Sequence, residues 1–391
     1  MAKVRALNLQ VKKDATVAVA CPSRGLASYV DLAAGTVAAL KELGLKPFLA
    51  PAMGSHGSGT AEGQKQVLLD YGLTEAAVGA PIRSQLEVEV IGRTPEGIDV
   101  VMDKLAREAD YLVILNRIKK HTDFEGDIES GLMKICGIGL GKPAGAMIYH
   151  QAMITHGPVR MIKSIARTLL ANTNFLFGLG SVENAHNDVA RVEALTGDRL
   201  EECEKELLAE SKKLSPALPF DHGHILWLDE VGKDISGAGL DTKVVGRIRA
   251  PRFSPEPEKP NFDLLMVSDL TEASHGNTGG LAWADLITQR LFDKIDRKAN
   301  DLNIITTGLL EMGKIPCVAD SDREALKILI RSLGLIKPED VKMIRVKNTL
   351  RIIEAELSRP YYEEAARRND LEILSEPSQP VFNEKGYFPD F

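Results

Sequence analysis

Apolar residues in the first 115 positions fall into two alternating spacings. Ala15 to Cys21 is a strand-length run containing β-branched residues, after which Val30, Ala33, Ala34, Val37 and Leu40 recur at helical spacing until Gly44 supplies a stop. A second strand-length run, Pro47 to Ala52, enters the loop Gly54-Ser55-His56-Gly57-Ser58-Gly59-Thr60. There Thr60 is placed to cap a helix that Gly72 ends. Leu86 to Ile91 and Tyr111 to Leu115 read as further strands. Strand, loop and helix repeating in this order predict a mainly parallel sheet with helices on its faces.

Farther along, Ile225 to Leu228 is an apolar run, and Phe262 to Leu270, Leu302 to Thr307 and Val341 to Val346 look like strands. Ser321 with Glu324 forms the capping box of a helix reaching Leu333. Prolines and charged residues crowd residues 251–261 without apolar periodicity, which predicts a linker. The expectation is two α/β domains with mainly parallel sheets, 1–250 and 262–391, and an active site in the interdomain cleft. The tail from Glu376 is polar, but Phe382, Tyr387, Phe388 and Phe391 predict that it packs on a domain.

Length and composition support this picture: 391 residues exceed one ordinary core, and 44% apolar with 26% charged residues suits a globular chain. A net charge of −7 argues against a basic face for nucleic acid. The apolar runs are too short for the ~20 residues that span a bilayer. The start, Met1 to Lys13, lacks a signal-peptide pattern, so a cytoplasmic location is expected. Cys21, Cys136, Cys203 and Cys317 stand apart without a CxxC pair and read as reduced thiols.

Three loops after expected strands combine glycine with His, Lys or Arg, and open α/β sheets bind ligands at the carboxyl ends of their strands. In Pro22-Ser23-Arg24-Gly25 the guanidinium is suited to a phosphate or carboxylate, a plain surface arginine being the alternative. The glycines around His56 let backbone N–H groups approach an anion at a helix start, and His56 itself is a candidate proton acceptor or a local hydrogen-bonder. The third region runs from Asn116 through His121 to Lys134 and on to His150. Lys134 sits in the otherwise apolar stretch Leu132 to Leu140, where desolvation makes an amine nucleophilic, unless it snorkels from an amphipathic helix. His150 and His156 are each either a metal ligand or a satisfied core histidine.

The order Arg24, His56, His121, Lys134, His150, with Ser-Gly-x-x-Lys at Ser130 to Lys134, resembles the nickel-dependent lactate racemase family over roughly residues 15–155. The resemblance implies a nickel-pincer nucleotide, a pyridinium-3,5-bisthiocarboxylate mononucleotide holding Ni. Carried over, Lys134 is its covalent anchor, Arg24, Ser23 and Gly57 help bind it, His150 ligates nickel, and His56 and His121 are paired acid–bases. The implied activity is racemisation or epimerisation of a 2-hydroxy acid by proton-coupled hydride transfer, in an enzyme loaded by cofactor-synthesising enzymes. A small-molecule substrate is the expected partner, with neither nucleic acid nor membrane, and a homo-oligomer is compatible with the sequence.

Three departures stand out. The stretch from His121 to Lys134 is a few residues longer than in lactate racemase and carries Asp123, Glu125, Asp127 and Glu129. Cys21 stands where the family enzyme has an aspartate. Asp269 to Asn277 replaces a Tyr-Gln-x-x-Lys substrate segment, so a substrate other than lactate is expected. Lys233, Ser236, His275 and Asn277 are the candidate substrate-binding residues, with turn residues as the plain reading of Lys233 and Ser236. Two other functions remain open: a divalent-metal lyase or hydrolase using the same histidines, and a non-catalytic nucleotide- or metal-binding protein.

Overall fold

The computed structural model describes residues 1–23, 25–249, 255–307 and 309–391. The chain forms two compact units, Met1–Ser215 and Pro216–Phe391. Among the described residues no helix is long and apolar enough to cross a membrane.

In the first unit, β1 (Thr16–Cys21), β2 (Lys46–Pro51), β5 (Tyr111–Arg117), β6 (Phe175–Glu183) and β7 (Val189–Leu195) form one sheet in the order β2-β1-β5-β6-β7. Its strands are parallel except β7. Val17 to Cys21 are wholly buried, as a parallel strand covered on both faces must be, and this is why the sequence there is an unbroken apolar run. The helix Tyr29–Glu42 covers β1 with Ala33, Val37 and Leu40. Thr60 caps the helix Ala61–Asp70 by accepting from Gly63 N. Because β1, β2 and β5 are parallel neighbours, the loops that follow them leave from one edge of the sheet.

The expected strand Leu86 to Ile91 is found two residues later as β3 (Val88–Arg93), which pairs antiparallel with β4 (Asp99–Asp103) in a separate ribbon. Its exposed Glu89 and Arg93 suit a solvent-facing strand and would be stranded in the buried main sheet.

The second unit carries β8 (His222–Val231), β9 (Asn261–Leu270), β10 (Leu286–Thr288), β11 (Cys317–Ala319), β12 (Met343–Val346) and β13 (Glu356–Leu357), in the order β11-β10-β9-β8-β12-β13. Only β13 is antiparallel to its neighbour. The boundary therefore differs from the expected linker at 251–261. Strand β8 pairs with β9 along its whole length, from His222 opposite Asn261 to Val231 opposite Leu270, so residues 216–250 belong to the second unit. Residues 250–254 lie outside the described residues. Glu256 folds back to accept the N–H groups of Ile248 and Arg249, as befits a crossover inside one unit. Proline crowding marks the absence of regular structure and not the edge of a domain.

Leu302 to Thr307 is also corrected, from strand to the second half of the helix Arg297–Thr307. Asp296 supplies the start by accepting Ala299 N–H at 3.0 Å. Ile304 is buried while Leu302 and Ile305 are exposed. A short apolar run cannot separate helix from strand by itself. The helix Asp322–Ser332 follows Ser321 as its cap. The tail packs as expected: Phe388 stands edge-on to Trp227 at 5.2 Å, and Arg345 lies over the rings of Phe388 and Phe391.

Candidate active site

At the sheet edge of the first unit, the loops after β1 and β2 meet through Ser23 Oγ and His56 Nδ1, which are hydrogen-bonded. Arg24 lies outside the described residues. Glu183, at the end of β6, accepts Ala27 N–H and pairs with Arg117 at the end of β5, tying the first loop to the third strand. His56 is exposed. Behind it Gly57 has φ +64°, and a Cβ there would fall 2.6 Å from Gln64 N, so only glycine lets the loop close onto the next helix.

The third loop leaves β5 at Asn116, whose Nδ2 donates to Gly131 O at 2.8 Å. Lys119 and Ser130 exchange backbone hydrogen bonds and pinch the inserted stretch at its base. The acidic residues inside it do not gather into one cluster. Asp127 faces Lys163 and Lys205, and Glu125 faces Lys212. Glu129 turns inward, is fully buried, and accepts His121 N–H at 2.5 Å. His121 stacks on Phe124 at 4.2 Å, and its Nδ1 accepts Asp123 N–H at 3.1 Å.

Lys134 closes the helical turn Leu132–Lys134 and is followed by the π-helical turn Ile135–Gly139. The turn starts on Glu204 of the helix Leu200–Leu214, whose Oε2 accepts Met133 N–H at 3.0 Å. Gly131 is needed here, since a Cβ would fall 2.2 Å from Glu204 Oε1. Burial pushes Glu204 up to about 7, against the N–H groups of Met133 and Leu132 that favour its charged form. Cys136 beside this turn is buried, which raises its thiol and suits a structural role.

His150 lies in the helix Lys142–His156. Burial, and then the charge of Lys134, hold it below the ordinary histidine range, while Asp123 acts in the opposite sense. Lys134 and Asp123 therefore both lie near enough to His150 for their charges to act on it. His150 Nδ1 is buried without a hydrogen-bond partner among the described residues. A neutral imidazole with an unused nitrogen beside an amine is chemically suited to hold a metal. His156 ends the same helix. Among the described residues no three His, Cys, Asp or Glu side chains stand together as a metal site.

In the second unit the other candidates sit on two interlocked loops after β8 and β9. Lys233 N–H donates to Ser274 Oγ at 2.8 Å, and Lys233 Nζ donates to Gly237 O at 2.7 Å. Thr271 joins the loops by contacting both Asp234 and Ser274. Ser236 is buried, His275 is exposed with φ +46°, and Asn277 Oδ1 accepts Gly279 N–H.

Of three buried ionisable residues that hold this site, the sequence reading named Glu129 only as one of four acidic residues in the longer stretch, and Glu204 and Lys142 escaped it. Glu204 had a signal, because it shares the helical stripe Leu200, Cys203, Leu207, Leu208 and Ser211 that faces inward. Glu129 and Lys142 lie in loop and glycine-rich sequence with no periodicity to mark them.

Residues 10–161 match the family model of the lactate racemase N-terminal domain. The fold is similar to the solved lactate racemase apoprotein of Thermoanaerobacterium thermosaccharolyticum, with a TM-score of 0.57 and 15% identity over 90% of this chain and 88% of that one. A search of curated protein sequences finds no match.

Proposed function

We propose that this lactate racemase-like chain, with a lactate racemase N-terminal domain at residues 10–161, is an isomerase that racemises or epimerises a 2-hydroxy acid with a nickel-pincer nucleotide on Lys134. The observation that carries the reading is the buried His150, whose Nδ1 has no hydrogen-bond partner among the described residues and whose pKa is lowered by burial and by the charge of Lys134. These residues fit the group. Lys134 offers the amine for a covalent anchor, His150 a single imidazole for nickel, and Ser23, Arg24 and Gly57 the loops for the nucleotide. When bound, the group supplies a reversible acceptor for the hydrogen on the substrate's Cα together with its electron pair.

The chain's own residues then have to move the hydroxyl proton. Ser23 Oγ, hydrogen-bonded to His56 Nδ1, supports a fixed ring orientation, and His56 serves as one of the two groups that exchange the proton with the substrate oxygen. With Nδ1 of His121 accepting Asp123 N–H, the neutral ring carries its proton on Nε2. To act as acid for one enantiomer the ring has to be imidazolium, which gives up the contact with Asp123 N–H, and to act as base for the other it has to present an unprotonated nitrogen. In this reading Lys233, Ser236, His275 and Asn277 serve the substrate's polar groups, and the replacement of the family's substrate segment by Asp269 to Asn277 points to a hydroxy acid other than lactate.

A lyase or hydrolase needing several protein ligands for its metal finds no such cluster among the described residues. The deciding experiment is intact-mass spectrometry of protein made beside the cofactor-synthesising enzymes. An adduct on Lys134 is expected in the native chain and none in Lys134→Ala or Lys134→Arg, both still folded. Enantiomer interconversion by protein whose Lys134 is unmodified would overturn the proposal.

A further inference from the structure

Lys142 is the first residue of the helix that presents His150 two turns later, and its side chain is wholly buried. An ammonium has three hydrogens to donate and no acceptor. Two of them go to Pro51 O at 2.6 Å and Gln64 Oε1 at 3.1 Å, and the charge is paired with Asp103 Oδ2 at 3.0 Å. Burial lowers the lysine's pKa, and Asp103 opposes that shift.

The contact with Gln64 has a directional consequence. Gln64 is itself fully buried, and a donor-only group at its oxygen turns its amide nitrogen the other way. That nitrogen donates to Gly54 O at 2.7 Å and to His56 O at 3.3 Å, the two carbonyls that bracket the turn carrying His56. Pro51, the other acceptor's residue, ends β2 where this loop begins. The loop also lies on the segment after Lys134, since Gly54 N–H donates to Gly139 O at 3.2 Å.

We propose that Lys142 and Gln64 form a buried relay whose role is to position His56, an inference that rests on the acid–base role of His56 given above. The hydrogen-bond polarity runs one way: ammonium to amide oxygen, amide nitrogen to loop carbonyls, loop to imidazole. Neither residue touches the reacting atoms. Both are positioning residues for the histidine that Ser23 orients from the front.

The test uses Gln64→Glu, which keeps the shape and still satisfies Lys142 but turns an acceptor toward the two carbonyls, with Lys142→Met as its companion. In the bare protein, labelled-histidine NMR is expected to show His56 leaving its single Ser23-bound tautomer for the mixed tautomers of a free imidazole. The His121 and His150 signals stay in place. In the loaded enzyme kcat falls about 10- to 100-fold, the cost of a small misplacement, while KM changes about twofold or less. Unchanged His56 resonances in either folded variant overturn the relay. If Lys142→Met does not fold, Gln64→Glu decides alone. The NMR arm needs no cofactor, so it separates failure of the relay from failure of the racemase reading, which would appear as an inactive native enzyme.

Discussion

The carboxylate of Glu129 accepts the backbone N–H of His121 at 2.5 Å from inside the protein. Its other oxygen lies 2.7 Å from Lys212 Nζ and accepts Gly126 N–H at 3.1 Å, so one buried side chain holds both ends of the inserted loop. Glu129→Ala removes the acceptor for two N–H groups and the partner of a half-buried lysine. It is expected to cost about 1–3 kcal/mol of stability, with the turnover that depends on His121 falling at least roughly tenfold. Thermal unfolding and racemisation rates measured side by side check it. Turnover undiminished in the destabilised variant would mean that this loop presents no catalytic group.

Glu204 makes stability depend on pH in a stated direction. Its folded pKa, pushed up to about 7, lies above the ordinary glutamate value, so the folded state holds a proton that the unfolded state has lost. The contribution is fully present below the ordinary value of about 4.3 and is lost as pH rises through about 7. A shift of that size corresponds to about 4 kcal/mol at most. Glu204→Gln, which cannot ionise, is expected to gain stability relative to the native chain between pH 5 and 8. Denaturant unfolding of both proteins across that range decides it, and parallel curves would show that Glu204 does not titrate there.

In the proposed reading anchor and metal ligand are separate residues, which makes their losses separable. His150→Ala is expected to lose nickel while the mass adduct on Lys134 remains, and His156→Ala is expected to keep both. Metal analysis beside intact-mass measurement gives the answer for each variant. Nickel retained in His150→Ala and lost in His156→Ala would move the ligand to the end of the helix.

If His56 and His121 serve opposite faces, each is base for one enantiomer and acid for the other. Removing either is therefore expected to stop turnover from both enantiomers, with adduct and nickel intact. Polarimetric assays started from each pure enantiomer check this. Full racemisation by His121→Ala would show that another group, with His275 as the first to examine, has taken over its role.

Local chemistry was enough to locate β1, β2 and β5, because a parallel strand buried on both faces writes itself as an unbroken apolar run. The caps at Thr60 and Ser321 were legible for a similar reason, since a cap is a contact between residues three apart. The order of His56, His121, Lys134 and His150 was equally plain, being a property of the chain. What needed tertiary structure were the choices that depend on distant partners. Strand β3 joined a ribbon with β4 instead of the main sheet, and residues 216–250 went with the second unit because β8 found β9 across the proline-rich crossover. Leu302 to Ile305 became helix once Asp296 capped it. The supports of the site were hidden most completely. Glu129 has its acceptors filled by His121 and Lys212, and Lys142 finds Asp103, Pro51 and Gln64 only when β2, β4 and two helices converge. A charged residue reads as surface in a sequence because burying it is costly, and only the folded arrangement of its partners offsets that cost.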